Sequence, residues 1–227
     1  MQDAGGEPVR VLVVDDEHLV RSGITAILSS APDITVVAAT DGIGAAEALA
    51  RHPVDVVLLD IRMPVADGLS VLASVTETAV AGARPAVAML TTFHADEKVA
   101  AALAAGANGY LLKDTDPDLL IQHVRALASG AAVLSSGVTA SVVEGFLRSR
   151  SAVDPGAAHR IAQLSPRERE VLQHLARGAP NSEIAAEMHL SLPTVKEHVG
   201  SVLTKLRVAN RVQAAVLAVR SGHLEAR

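Results

Sequence analysis

At 227 residues the chain is long enough for one large or two modest domains, and it carries a formal charge of −5 from 20 Lys+Arg against 25 Asp+Glu. Hydrophobic residues make up 49% of it and aromatics only 1%, so the cores must be aliphatic and base-stacking aromatic surfaces are disfavoured. Cysteine is absent, which excludes disulfides, thiolate metal sites and a cysteine nucleophile and suits a reducing cytosol. MQDAGGEPVR at the N-terminus has no apolar core of signal-peptide length. Nor does any apolar run approach the roughly 18 residues of a membrane span. The expectation is a soluble, cytoplasmic protein.

In chain order, residues 9–130 alternate strand and helix. VRVLVV (9–14), ITVVAAT (34–40), VDVVLL (54–59), AVAML (86–90) and NGYLL (108–112) are Val/Ile/Leu-rich strands. Between them lie amphipathic stretches such as HLVRSGITAILSS (18–30) and ADEKVAAALAAG (95–106), the latter closed by Gly106. A helix over about 116–129 ends this unit before Gly130. Five strands with intervening helices predict an α/β fold, a parallel sheet covered on both faces. Over 131–163 the pattern weakens to one helix near 136–148, then RSRSAVDPGAAHR, with the Ser, Asp, Pro and Gly of a loose linker. From 164 the periodicity is helical. Ser165-Pro166-Arg167-Glu168 reads as a capping box with proline at the first helical position. Further helices follow over about 181–189, 192–206 and 210–221, with Ser191 as N-cap of the third. The predicted units are therefore 8–130, a linker over 131–163, and a four-helix domain over 164–227. Charge follows the same division. Residues 1–130 balance near −9 and residues 131–227 near +4, so the second unit is the one suited to a polyanion.

The chemistry gathers at strand ends. VDVVLLDIRMP (54–64) runs a strand buried on both faces into Asp60, and VLVV runs into Asp15-Asp16-Glu17. An isolated strand-end aspartate serves equally well as a turn cap. In an open parallel sheet, however, the carboxyl edge is where ligand sites lie, and neighbouring first and third strands bring Asp15, Asp16 and Asp60 together. Three close carboxylates repel unless a cation neutralises them, and an oxygen-only set suits Mg²⁺ or Mn²⁺ better than zinc. Thr91 ends the fourth strand and Lys113 follows the fifth. A hydroxyl and an ammonium there would stabilise a transferred phosphoryl group, with Asp60 as nucleophile.

Residues 9–130 resemble the receiver domain of two-component response regulators. The resemblance rests on Asp15-Asp16, the Asp60-Ile-Arg-Met-Pro64 strand exit, Thr91, and the run from Gly106 to Lys113-Asp114. It implies that Asp60 is the phosphoacceptor and that Asp15, Asp16, Asp60 and the Arg62 carbonyl hold Mg²⁺. It also implies that Thr91 and Lys113 contact the phosphoryl group and that Tyr110 is the aromatic that swings inward on activation. Asp114 departs from the pattern, since many receivers have proline after the lysine.

Residues 164–216 resemble the LuxR-type helix-turn-helix, and the two units together are similar to NarL/FixJ-type response regulators. On the 192–206 helix, Val195, Val199, Val202, Leu203 and Leu206 form one stripe. Lys196, Glu197, Gly200, Ser201 and Thr204 form the other, a face that can lie in the major groove. The resemblance implies Thr194 and Lys196 as phosphate and base contacts, and Lys205 and Arg211 as phosphate contacts. Glu197 can accept from cytosine N4, whereas Gly200 reads no base directly. Pro180 stands where relatives place a capping serine, and Asn181 is expected to take over the cap.

These features predict a transcription regulator, not an enzyme, phosphorylated by a partner histidine kinase and pairing as a homodimer on double-stranded DNA. A hydrolase of the haloacid-dehalogenase type also uses a strand-end aspartate, but needs a second aspartate two residues later, where this chain has Arg62. A DNA-binding regulator switched by a ligand instead of phosphate is the remaining alternative. The charge split and linker further predict that the unphosphorylated receiver restrains the DNA-binding unit.

Overall fold

The computed structural model describes residues 7–64, 66–78, 84–92, 98–134 and 156–221. Its first unit is a parallel sheet of β1 (Val9–Val14), β2 (Ile34–Thr40), β3 (Val56–Asp60), β4 (Ala86–Thr91), β5 (Gly109–Leu112) and β6 (Val133–Leu134), in the order β2-β1-β3-β4-β5-β6. The sixth strand goes beyond the five expected. It adds two residues, Val133 and Leu134, parallel to Gly109 and Tyr110.

Successive residues of a strand face opposite sides, and both sides of this sheet are buried. Leu12, Val14, Val57, Leu59 and Met89 pack under α2 (Ala45–Arg51), α3 (Gly68–Thr78) and α4 (Val99–Ala104). Val11, Val13, Val56, Leu58, Ala88 and Leu90 pack under α1 (His18–Ser29) and α5 (Pro117–Ala128). This is why the strand sequences are continuously apolar rather than alternating. Asp116 starts α5, its side chain accepting from the amides of Asp118 and Leu119, with Pro117 at a position whose amide needs no partner.

The second unit comprises α6 (Ala157–Ala162), α7 (Pro166–Ala176), α8 (Asn181–Met188), α9 (Leu192–Leu206) and α10 (Arg211–Arg220). Helix α6 corrects the linker reading. Ala157 and Ile161 are buried, and Ile161 packs into the helical core with Leu164, Val171, Leu172, Leu175, Val195, Val202 and Leu206. The helix expected near 136–148 lies outside the described residues. No helix among the described residues is long and apolar enough to cross a membrane.

Candidate phosphoacceptor site and DNA interface

Strand register assembles the first site. Val14 is paired with Leu59 across β1 and β3, so Asp15 and Asp60 leave the sheet side by side. Asp60 is opposite Leu90, and Thr91 opposite Leu112, one residue before Lys113. Carboxylate oxygens of Asp15, Asp16 and Asp60 all lie within 4.8 Å of one another. Lys113 Nζ is 2.7 Å from Asp15 Oδ2, 3.1 Å from Asp60 Oδ2 and 3.5 Å from Glu17 Oε1. Asp15, Asp60 and Thr91 are buried, while Asp16 is exposed. Backbone amides orient the carboxylates: Glu17 N–H donates to Asp15 Oδ1 at 2.9 Å and Arg62 N–H to Asp60 Oδ1 at 3.3 Å.

Burial raises the Asp60 pKa above the usual carboxylate value, opposed by the Lys113 charge and reinforced by Asp15. Burial works to lower the Lys113 pKa, but Asp15 and Asp60 carry it above the ordinary lysine value. Lys113 is thus a fixed ammonium facing two buried carboxylates, with the exposed Glu17 at its outer side. The oxygen-only donor set, with one member open to solvent, fits a hard divalent cation.

Tyr110 is fully buried and paired with Met89 across β4 and β5. The peptide between Lys113 and Asp114 is trans, like every other peptide among the described residues. Gly68 was not singled out in the sequence, yet it shapes the site. A Cβ there would lie 2.3 Å from the Asp60 carbonyl oxygen, so only glycine lets α3 start this close to the strand exit. Its signal was a lone Asp67-Gly68 after the proline turn, which reads equally well as ordinary turn chemistry.

In the helical unit the capping box is complete: Ser165 Oγ accepts from Glu168 N–H and Glu168 accepts from Ser165 N–H. Glu168 does more than cap. It is buried, accepts from Ser201 Oγ at 2.6 Å, and binds Lys205 Nζ with both oxygens at 2.7 Å. Burial opposes its charge, but Lys205, Ser201 and Ser165 together bring its pKa down to about 2. Ser201 and Lys205 thereby tie α9 to α7, while the Lys205 side chain stays 42% exposed. Arg211 is a correction to the DNA-contact set. It is 5% exposed, and its guanidinium donates to the Ala179 carbonyl and Asn181 Oδ1. Burial lowers its pKa to about 10, leaving it charged but inside. Asn181 does not cap α8 either. Pro180 is the N-cap residue, with no side-chain cap bond, and Asn181 is the first helical residue.

The remaining predicted contacts share an open face. Ser191 Oγ accepts from Thr194 N–H at the start of α9, and Val195, Val202 and Leu206 are buried beneath it. Lys196, Glu197 and Gly200 are exposed, and a Cβ on Gly200 would meet nothing within 4 Å. The charge of Lys196 also reaches the receiver. Asp55 has its pKa lowered chiefly by the Arg10 hydrogen bond, and the charge of Lys196 lowers it further.

Residues 11–125 match the response regulator receiver domain, and residues 162–218 match the bacterial regulatory proteins of the luxR family. The nitrate/nitrite response regulator protein NarL of Escherichia coli K12 is 36% identical, across 92% of this chain and 94% of that one. The transcriptional regulatory protein LnrK of Bacillus subtilis 168 is 35% identical, across 94% and 98%. Among solved structures, the receiver domain of the putative response regulator NarL from Mycobacterium tuberculosis is 36% identical with a TM-score of 0.51, covering 55% of this chain and 99% of its own. The RcsB response regulator of Salmonella typhimurium shares the fold at 23% identity, TM-score 0.55, over 94% of this chain and 99% of that one. The chain belongs to the NarL-type response regulators, DNA-binding transcription regulators under phosphorylation control, with a receiver followed by a LuxR-type domain.

Proposed function

We propose that Asp60 is the phosphoacceptor and that a sensor histidine kinase is its donor. The carrying observation is the meeting of buried Asp60 with Lys113 at 3.1 Å and with the Asp15 and Asp16 carboxylates, on the edge where β1, β3, β4 and β5 end. An Asp60 oxygen attacks the phosphorus of a phosphohistidine, the N–P bond breaks, and the imidazole leaves with the electron pair. Lys113 holds its ammonium, and Thr91 its hydroxyl, where the three phosphoryl oxygens arrive. Asp15, Asp16, Asp60 and the Arg62 carbonyl would hold Mg²⁺ or Mn²⁺, which supplies charge neutralisation for those oxygens. Exposed Leu19, Ile43 and Leu119 stand on loops and first helical turns at the same edge, an apolar rim fitting a docked carrier.

Thr91 and Tyr110 form the switch, acting on α4 between them. DNA is contacted through Thr194, Lys196, Glu197, Gly200, Ser201 and Lys205 of α9, in the cytoplasm, by a homodimer bridging two half-sites. The unphosphorylated receiver restrains this face. Intact-mass measurement after incubation with Mg²⁺ and a small phosphodonor should show one phosphate on the wild type and none on Asp60→Asn. Equal phosphate on both would remove Asp60 from the role. Sedimentation with and without phosphodonor tests pairing; a monomer in both states, on and off DNA, counts against it.

A further inference from the structure

The two units meet at the amino edge of the sheet, opposite the acidic site, and the contact is made by neutral amides. Asn210 lies between α9 and α10 and is fully buried. Its Oδ1 accepts from Gln213 N–H at 2.9 Å, capping α10. Its Nδ2 donates into the receiver, to the Leu103 carbonyl at 2.8 Å and the Ala107 carbonyl at 2.9 Å. Gln213 divides its side chain in the same way. Oε1 accepts from Ala209 N–H at 2.9 Å, while Nε2 donates to the Leu103 and Ala104 carbonyls, each at 2.9 Å. In both residues the oxygen works inside the helical domain and the nitrogen reaches the receiver.

The accepting carbonyls belong to the last turn of α4 and its turn into β5. The final carbonyls of a helix lack an i+4 amide partner. The Leu103 carbonyl takes the Gly106 N–H at 3.3 Å within the receiver, and the DNA-binding domain adds donors to it and to the Ala104 and Ala107 carbonyls from outside. The fit is close: a Cβ on Gly106, itself at φ +113°, would lie 3.4 Å from the Ala209 Cβ. A smaller contact adds to it, as the Ser129 carbonyl accepts from the Asn181 amide at 3.1 Å. Gly130, at φ +83°, is a backbone position that favours glycine, and a Cβ there would fall 2.3 Å from the end of the Asn181 side chain.

Resting on the Asp60 reading above, we propose that the Asn210 and Gln213 carboxamides are the latch that keeps the DNA-binding domain docked. The state of the receiver reaches them through the carboxyl end of α4. Ala107 is three residues from Tyr110, and α4 is the helix between Thr91 and Tyr110. A shift of that helix misaligns four N–H···O bonds at once, and such bonds weaken steeply with angle and distance.

The test uses the full chain carrying Asn210→Asp with Gln213→Glu. Both replacements keep the capping oxygen, remove the donor, and set a carboxylate against receiver carbonyls. The probe is a DNA duplex selected from a random pool by the wild-type chain treated with beryllofluoride and Mg²⁺. Without beryllofluoride, the double variant should bind this duplex about 5- to 150-fold more tightly than the untreated wild type, and added beryllofluoride should gain it little. By linkage the variant should also take up beryllofluoride at lower concentration. A folded double variant that binds like the untreated wild type, and still tightens with beryllofluoride, overturns the latch. Should circular dichroism show that the double variant has lost its helices, Ala209→Glu decides. That change wedges the contact beside Gly106 while keeping the Ala209 amide; release supports the latch and wild-type behaviour overturns it. A wild type whose affinity ignores beryllofluoride overturns the phosphorylation reading itself, and the latch with it.

Discussion

Arg211 and Lys196 carry the same charge on neighbouring helices, and burial separates their roles. Arg211 is inside, bonded to Ala179 and Asn181, so Arg211→Ala leaves a buried carbonyl without its donor. It should cost about 2–4 kcal/mol of stability, read as a lower melting temperature, while the salt slope of DNA binding stays that of the wild type. Lys196→Ala should behave in the opposite way, melting normally and binding DNA weakly. With beryllofluoride present, the salt slope falls by about 1 if Lys196 meets only phosphate. If it reads a base, discrimination at that position relaxes by roughly 1–3 kcal/mol. Unchanged affinity would move the recognition surface off this part of α9. The strand-end residues were legible in the sequence because strand ends are set by apolar runs. Arg211 was misread because an arginine at a helix start looks the same whether it faces solvent or a carbonyl in the interior.

At the scale of elements, Glu168 joins the first turn of α7 to the last two turns of α9. Its pKa falls from 4.5 to about 2 on folding, so its stabilisation is present above about pH 4.5 and is lost as pH drops toward 2. Lys205, its strongest partner, is 42% exposed, which limits the contribution to about 1–2 kcal/mol. Glu168→Gln retains a capping residue but not the ion pair. The wild type should melt above the variant near neutral pH, with the gap closing across that acid window. A gap that stays constant down to pH 2 would show that the ion pair contributes nothing. The capping box itself was readable from Ser165-Pro166-Arg167-Glu168, since a cap is a local device. Its second job was not, because Ser201 and Lys205 lie 33 and 37 residues away. Helix α6 escaped for another reason: six residues after Asp154-Pro155-Gly156 are too few to display a period. The two-residue strand β6 has no readable pattern at all.

At the scale of the whole molecule, the −9 and +4 balances of the two halves suggested that charge holds the domains together. The boundary itself is made differently. Asn210 and Gln213 are neutral and donate to backbone carbonyls, while Asp55, the receiver carboxylate that the charge of Lys196 reaches, is already ion-paired with Arg10. Nothing in the sequence pattern announces such a contact, because Asn210 before a helix reads simply as an N-cap. The two accounts differ in their response to salt. Between about 0.1 and 1 M the screening length falls from about 10 to 3 Å. Docking by a loose attraction between halves of opposite charge would fade over that range, while buried amide bonds would persist. The radius of gyration of the unphosphorylated chain, measured by small-angle X-ray scattering, should therefore stay constant across this range. It should rise when beryllofluoride and Mg²⁺ are added. Expansion with salt alone would return the restraint to the charge halves and leave Asn210 and Gln213 as bystanders at an electrostatic interface.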